Sequence, residues 1–136
     1  MIMESLNMKR FDEWNKVKKQ VEQQEIITNF KQREIYWTKL GQNIGYETYG
    51  KGVEFLRPVL IYRKLGNFNF LGIPLTSKEK NGNFYFSFYP INKAKINYAL
   101  LNQAKVISVK RLNNKFGKIS VDDHNQLKEK FINLYG

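Results

Sequence analysis

Five short runs of β-branched and aromatic residues, separated by turn residues, fill the middle of this sequence. They cover residues 33–40, 58–62, 68–75, 84–89 and 98–108. Runs of this length, bounded by Gly, Pro and Asn, are typical of β-strands. Because an open sheet of five strands would leave unpaired edges, the pattern favours a small closed barrel.

Two of these runs indicate where their strands lie in the sheet. Residues 59–62 are continuously apolar, which is typical of a central strand that is buried on both faces. Phe84, Phe86 and Phe88 alternate with more polar residues, which predicts a strand with one buried face. The last run is expected to bend near Asn102.

Helical periodicity is confined to the two ends of the chain. Residues 9–25 contain neither Gly nor Pro, and their apolar stripe consists of Phe11, Trp14, Val17 and Val21. Near the C-terminus, Ser120 stands three residues before Asp123, which predicts the cap of a second amphipathic helix. The residues alone therefore predict a mainly β (α+β) domain with a helix at each end.

Positive charge is concentrated in one part of the chain. Residues 51–118 hold thirteen Lys and Arg against two Glu, a net charge of +11, which equals that of the whole protein. Residues 1–50 hold eight against seven (+1), and residues 119–136 hold two against three (−1). Each phosphate contact releases condensed counterions, so we interpret the basic region as a polyanion-binding surface. The alternative is a basic surface that only maintains solubility.

The residue types that are absent or rare exclude several kinds of chemistry. The chain has no Cys, so it cannot form disulfides, thiolate nucleophiles or Cys-based zinc sites. His124 is the only histidine, which excludes a two-histidine ribonuclease site, and its place on an apolar stripe predicts a packed, hydrogen-bonded side chain. We expect no metal and no cofactor, because carboxylates are scarce in the basic region and no nucleotide-binding motif is present. We also expect a cytoplasmic protein without membrane contact, since no long apolar run or signal peptide is visible.

RNA carries its own nucleophile, the 2′-hydroxyl beside each phosphodiester. A protein can promote its attack by holding sugar and phosphate in line, by placing donors where charge develops and by moving a proton. Arg, Lys, Thr and Glu suffice for these tasks. The composition therefore permits metal-independent cleavage of single-stranded RNA.

Three segments, in this order, resemble the PemK/MazF family of type II toxin–antitoxin toxins. They are REIYWTKLGQNIGYE at 33–47, RPVLI at 57–61, and PLTSK at 74–78 with QAKVISVKRL at 103–112 downstream. The resemblance covers residues 31–134. We accordingly interpret residues 31–136 as the family domain and residues 1–30 as a helical extension.

The resemblance implies an SH3-like barrel of about five to seven strands that assembles as a homodimer. It implies a metal-independent endoribonuclease that cuts single-stranded RNA at short sequences, leaves cyclic phosphates and arrests growth. It also implies neutralisation by an acidic cognate antitoxin, through which operator DNA would be bound. Two alternatives remain open: the barrel binds nucleic acid without cutting it, or it inhibits DNA gyrase as a related toxin family does.

Four residues match catalytic positions of the family. Arg57 matches its arginine and Thr76 its threonine or serine, while Glu47 matches a loop carboxylate and Lys105 a basic residue on a late strand. Arg57 suits a bidentate contact with the scissile phosphate, Thr76 suits donation to a phosphate oxygen, and Glu47 is the candidate base. In the alternative interpretation, Arg57 pairs with Glu54 and Thr76 bonds within a turn. Glu47 then balances local charge, and Lys105 is a solvated surface side chain.

Further RNA contacts are predicted at five residues: Ser77, Lys78, Gln103, Tyr46 and Tyr49. The two tyrosines stand in a glycine-rich stretch, residues 41–52, which predicts a mobile loop. They either stack on bases, since every base has a π-face, or anchor the loop.

Overall fold

The computed structural model describes residues 29–41 and 56–135, which form a mainly β domain. Its strands are β1 (Glu34–Lys39), β2 (Leu56–Lys64), β3 (Asn69–Thr76), β4 (Tyr85–Phe88), β5 (Asn97–Leu100), β6 (Lys105–Ser108) and β7 (Leu112–Lys118). A C-terminal helix, α1, spans Val121–Tyr135. The helix predicted at residues 9–25 lies outside the described residues. None of the helical segments within those residues has the length and apolar character needed to cross a membrane.

Every strand pair is antiparallel. The strand order is β4-β5-β3-β2-β1-β7, and β6 also pairs with β3. The ends of this order approach each other, because the backbone N–H of Ile91, just after β4, donates to the oxygen of Lys118 at the end of β7, 2.9 Å away. The sheet therefore curls until its two ends are neighbours.

β2 is buried on both faces, as its apolar run predicts. Leu60 and Tyr62 belong to a core cluster that includes Leu127 of α1, whereas Val59 and Ile61 belong to a second cluster. All four side chains are at least nine-tenths buried. A slip of one residue would exchange the two sets, so burial fixes the register of β2 against both of its neighbours.

Most of the predicted runs are strands, with small shifts of boundary. The run at 98–108 is divided, because Leu101–Gln103 forms a 3₁₀ turn between β5 and β6, at the bend expected near Asn102. Phe84 precedes β4 and is 50% exposed, so this strand is shorter than the alternation of phenylalanines predicts.

β7 is a strand that the sequence pattern does not predict. Its residues, LNNKFGK, include no β-branched side chain and do not alternate regularly. It pairs with β1, which lies more than seventy residues earlier in the chain. Long-range pairing, and not local propensity, therefore makes this segment a strand.

Ser120 caps α1, as predicted. Its Oγ accepts a hydrogen bond from the backbone N–H of Asp123, at 3.1 Å. His124 is packed against the ring of Tyr62, with 5.6 Å between ring centroids. Its packing is confirmed, but its hydrogen bonding is not: the buried Nδ1 has no hydrogen-bond partner within the described residues. The apolar stripe that buries the ring supplies no polar group to this nitrogen.

Candidate active site

A groove with a volume of about 810 Å³ opens where β1, β2, β3 and β7 come together. Its lining residues are Trp37, Leu56, Arg57, Pro58, Leu75, Thr76, Ser77, Lys93, Ala94, Lys95, Asn97, Asn113, Asn114 and Phe116. The charged members of this set are all cations, namely Arg57, Lys93 and Lys95. No Asp or Glu of the described chain lines the groove. The groove therefore suits an anionic ligand.

Arg57 and Thr76 reach the groove from neighbouring strands. The ladder between β2 and β3 places Val59 opposite Pro74. Two residues further along the same register, Arg57 is level with Thr76. Nη1 of Arg57 donates a hydrogen bond to the backbone oxygen of Leu75, at 3.1 Å, which holds the guanidinium against the end of β3.

The Thr76 side chain is held by the turn that follows β3. Thr76 is 6% exposed, and its Oγ1 accepts a hydrogen bond from the backbone N–H of Lys78, at 3.1 Å. This is the bond within a turn that the alternative interpretation expects. It leaves the hydroxyl hydrogen for donation, because the oxygen is the acceptor. The turn bond is thus compatible with a role in the groove.

Aromatic side chains supply the apolar part of the groove. Trp37 and Phe116 meet edge to face, with ring centroids 5.3 Å apart and an interplanar angle of 83°. Nζ of Lys93 lies 5.0 Å from the centroid of the Phe116 ring, within the range of a cation–π contact. A cation and aromatic rings therefore lie side by side in one groove, a combination that proteins use to bind single-stranded nucleic acids.

β7 presents its side chains to the groove through a bulge. Between two pairs of the β1–β7 ladder, β1 contributes one residue, Trp37, and β7 contributes two, Asn113 and Asn114. Phe116 is an additional residue of β7 at a second irregularity of the same ladder. Bulges re-aim side chains, and all three of these β7 residues line the groove.

The buried carboxylate of Glu34 lies on β1, where it stabilises the sheet and does not line the groove. Oε2 of Glu34 accepts from Nζ of Lys115 at 2.7 Å, and Oε1 accepts from the Lys31 N–H at 2.6 Å and from the Tyr36 hydroxyl at 3.2 Å. Burial acts to raise the pKa of Glu34, but these contacts outweigh it and the pKa is lowered. Burial and the adjacent carboxylate raise the pKa of Tyr36 to about 12. Both groups therefore keep their charge states near neutral pH.

Some of the site residues predicted from the sequence line the groove, and others do not. Arg57, Thr76 and Ser77 line it together. Lys105 begins β6 and Gln103 ends the 3₁₀ turn before it, and neither lines the groove.

Other predicted site residues stand apart or cannot be placed. Lys78 is exposed directly after the groove-lining Ser77. Glu47, Tyr46, Tyr49 and the Arg57–Glu54 pairing lie outside the described residues. Within residues 29–41 and 56–135, no three His, Asp or Glu side chains are grouped as metal ligands would be.

Several groove residues escape the sequence analysis. They are Trp37, Lys93, Lys95, Asn97, Asn113, Asn114 and Phe116. Trp37 lies in the segment REIYWTKLGQNIGYE, but the sequence does not indicate a role for it. For Asn113, Asn114 and Phe116 the available signal is the irregular pattern of residues 113–116, and for Lys93 and Lys95 it is their place in the basic region.

Comparison with protein families gives a match over nearly all of the described chain. Residues 31–135 match the family described as "PemK-like, MazF-like toxin of type II toxin-antitoxin system". The search of curated proteins finds no match.

Solved structures with the same fold are similar over most of their length. MazF from Deinococcus radiodurans has a TM-score of 0.61 at 16% identity, covering 82% of this chain and 97% of that one. The MazF-mt6 toxin of Mycobacterium tuberculosis has a TM-score of 0.57 at 17% identity, covering 76% and 96%. A mycobacterial endoribonuclease in complex with its cognate antitoxin has a TM-score of 0.56 at 12% identity, covering 75% and 90%.

Proposed function

Because the chain belongs to the PemK-like, MazF-like toxins of type II toxin–antitoxin systems, we propose that it is an endoribonuclease that cuts single-stranded RNA. The observation that carries the proposal is that Arg57 and Thr76, on neighbouring strands, line one cationic groove. A groove without an acidic lining residue in the described chain admits a phosphate backbone without charge repulsion.

Arg57 binds the scissile phosphate in this mechanism. Its planar fork matches two phosphate oxygens, and the bond to the Leu75 oxygen orients it before the substrate arrives. Thr76 donates its hydroxyl hydrogen to a phosphate oxygen. Both contacts gain strength as negative charge develops in the transition state.

The 2′-hydroxyl of the RNA attacks the adjacent phosphorus, and the 5′-oxygen of the next nucleotide leaves. The products are a 2′,3′-cyclic phosphate and a free 5′-hydroxyl. Glu47 accepts the proton of the 2′-hydroxyl and returns it to the departing 5′-oxygen, and no metal takes part. Lys105 lies on β6 outside the groove, where it adds positive charge for the bound RNA strand.

The remaining predicted residues extend the contact with RNA. Lys78 and Gln103 bind the strand beyond the groove, and Tyr46 and Tyr49 stack on unpaired bases. Lys93 and Lys95 hold phosphates that flank the cleaved bond.

We place this activity in the cytoplasm, in a homodimer of SH3-like barrels formed by residues 31–136. An acidic cognate antitoxin neutralises it by competing for the cationic groove, and the complex of the two binds operator DNA. The antitoxin-bound structure of the similar mycobacterial endoribonuclease supports this pairing.

The test uses purified protein and a mixed single-stranded RNA in excess EDTA. We expect cleavage with cyclic-phosphate ends, and we expect Arg57→Ala to reduce its rate by about 10²-fold or more, the effect of one lost transition-state donor. Arg63→Ala is the matched control, because Arg63 is an exposed arginine of the same strand outside the groove. It should retain the wild-type rate.

A second substrate checks the nucleophile. Replacing the cleaved nucleotide by its 2′-deoxy form should abolish cleavage at that bond alone. Equal rates for Arg57→Ala and wild type would remove the site assignment. An inactive wild type that still binds RNA would favour a binding module, and inhibition of gyrase without RNA cleavage would favour the gyrase alternative.

A further inference from the structure

We propose that Trp37, Asn113 and Asn114 form a pocket that holds one unpaired nucleobase beside the scissile phosphate and thereby sets the cleavage sequence. This inference rests on the proposed cleavage of RNA and assigns its base selectivity to residues outside the catalytic pair. The pocket takes a base edge that offers a hydrogen-bond donor next to an acceptor.

The bulge in β7 is the first reason for this assignment. In a regular strand neighbouring side chains point to opposite faces, so Asn113 and Asn114 would not reach the same groove. Opposite Trp37, however, β7 contributes two residues where β1 contributes one, and both asparagines line the groove. Regular pairing between β1 and β7 is interrupted at this point, which places the amides of Asn113 and Asn114 beside the indole of Trp37.

The two amides are chemically suited to read a base. Each carries a donor NH₂ group and an acceptor oxygen, which matches the paired donor and acceptor of a base edge. The amide of Asn97, by contrast, donates to the Lys95 oxygen at 3.3 Å and is 4% exposed, so it serves the fold. Within the part of the chain that the structure describes, Asn113 and Asn114 make no such side-chain hydrogen bond.

Trp37 is the stacking surface of the pocket. Phe116 also lines the groove, but the Lys93 ammonium lies over its ring, 5.0 Å from the centroid. The indole of Trp37 is the larger ring system, and Phe116 supports it edge to face. A base stacked on the indole would have its edge near the asparagines of the opposing strand and its phosphate near the cations of the groove.

The first experiment measures cleavage-site preference. Wild type and the double variant Asn113→Ala/Asn114→Ala digest a randomised single-stranded RNA pool, and the cut ends are sequenced. At one position beside the cut, we expect discrimination between bases to fall roughly 5- to 150-fold in the double variant, the value of one bidentate contact. Cleavage of the preferred base should fall, while that of the rejected bases stays near the wild-type rate. Asn69→Ala, an exposed asparagine at the far end of β3, is the matched control.

The second experiment follows the base directly and does not require cleavage. In Trp14→Phe protein, Trp37 is the only tryptophan. We expect a single-stranded oligonucleotide with a 2′-deoxy sugar at the cleaved position to quench its fluorescence on binding. A control oligonucleotide with an abasic site at the recognised position should bind without this quenching.

The outcomes separate the two proposals. Active wild-type protein with unchanged base preference in the asparagine variant, or quenching by the abasic strand equal to that by the intact one, would overturn the pocket and leave the ribonuclease standing. Quenching by the intact strand alone, in a protein that cuts no RNA, would support base binding by the pocket but would overturn the ribonuclease, and with it the role of the pocket in setting a cleavage sequence. A protein that neither cuts RNA nor shows quenching would overturn both.

Discussion

The guanidinium of Arg57 donates to the backbone oxygen of Leu75, at 3.1 Å, and so joins the start of β2 to the residue before Thr76. The backbone ladder between these strands runs as far as Val59 opposite Pro74. The side chain therefore connects the two strands beyond the ladder, at the edge of the groove. Substitutions of Arg57 must separate this structural contact from catalysis.

Arg57→Lys makes that separation. A lysine keeps the positive charge but lacks the planar fork, so we expect RNA affinity to stay within a few-fold of wild type while the cleavage rate falls on the order of 10²-fold. The lost hydrogen bond should lower the free energy of unfolding by only about 1 kcal/mol. Single-turnover kinetics, filter binding and urea unfolding measure the three quantities. A lysine variant that cleaves at the wild-type rate would show that the fork is not required.

Thr76 can be tested with two substitutions of similar size. Thr76→Val removes the hydroxyl, which accepts from the Lys78 N–H at 3.1 Å and is proposed to donate to the phosphate. We expect about 10²-fold slower cleavage for the valine variant and a loss within tenfold for Thr76→Ser, which keeps the hydroxyl. If valine lowers stability by about 1 kcal/mol but leaves the rate unchanged, the hydroxyl serves only the turn.

The Glu34 cluster is predicted to stabilise the fold without affecting catalysis. Glu34→Ala would leave the Tyr36 hydroxyl and the Lys31 N–H without their acceptor, which should cost about 1–3 kcal/mol of unfolding free energy. Lys115→Met should cost less, at most about 1 kcal/mol, because the Lys115 side chain is 48% exposed and its ion pair is screened. Urea unfolding at pH 7 measures both. A larger loss for Lys115→Met than for Glu34→Ala would contradict this account.

Acid should remove the contribution of Glu34. Its pKa is lower in the folded protein than its ordinary value of 4.5, so the stabilisation is present above pH 4.5 and is lost as the pH falls through the folded value. The difference between wild type and Glu34→Ala should therefore shrink below pH 4.5. A difference that stays constant in acid would assign the effect to packing.

The sequence predicts those parts of the sheet in which a local pattern of apolar residues indicates burial. Residues 59–62 are apolar without interruption, and they become the doubly buried strand β2. Ser120 has the spacing of a helix cap and is one. β7 could not be found in this way, because its seven residues include no β-branched side chain and depend on β1 for pairing.

The residues of the candidate site likewise fall into those that the sequence identifies and those that it does not. Arg57 lies in the segment RPVLI and Thr76 in the segment PLTSK, each of which is continuous in the sequence. A resemblance between sequences is therefore sufficient to identify both residues. Asn113 and Asn114 line the groove only because β7 bulges opposite Trp37, and a register irregularity between distant strands has no local signature. The groove is thus lined both by residues that a sequence motif identifies and by residues that only the pairing of distant strands brings there.

His124 should make the fold sensitive to mild acid. Burial, and secondly the positive charges of Arg33 and Lys128, lower its pKa from the ordinary 6.5. The unfolded chain therefore binds a proton more readily than the folded one, so stability is complete above pH 6.5 and decreases as the pH falls towards the lower folded value. Thermal unfolding between pH 7.5 and pH 5 should show this loss in wild type and not in His124→Leu. The carboxylate of Glu34 still keeps its charge in that window, so an equal loss in both proteins would show that His124 is not the group responsible.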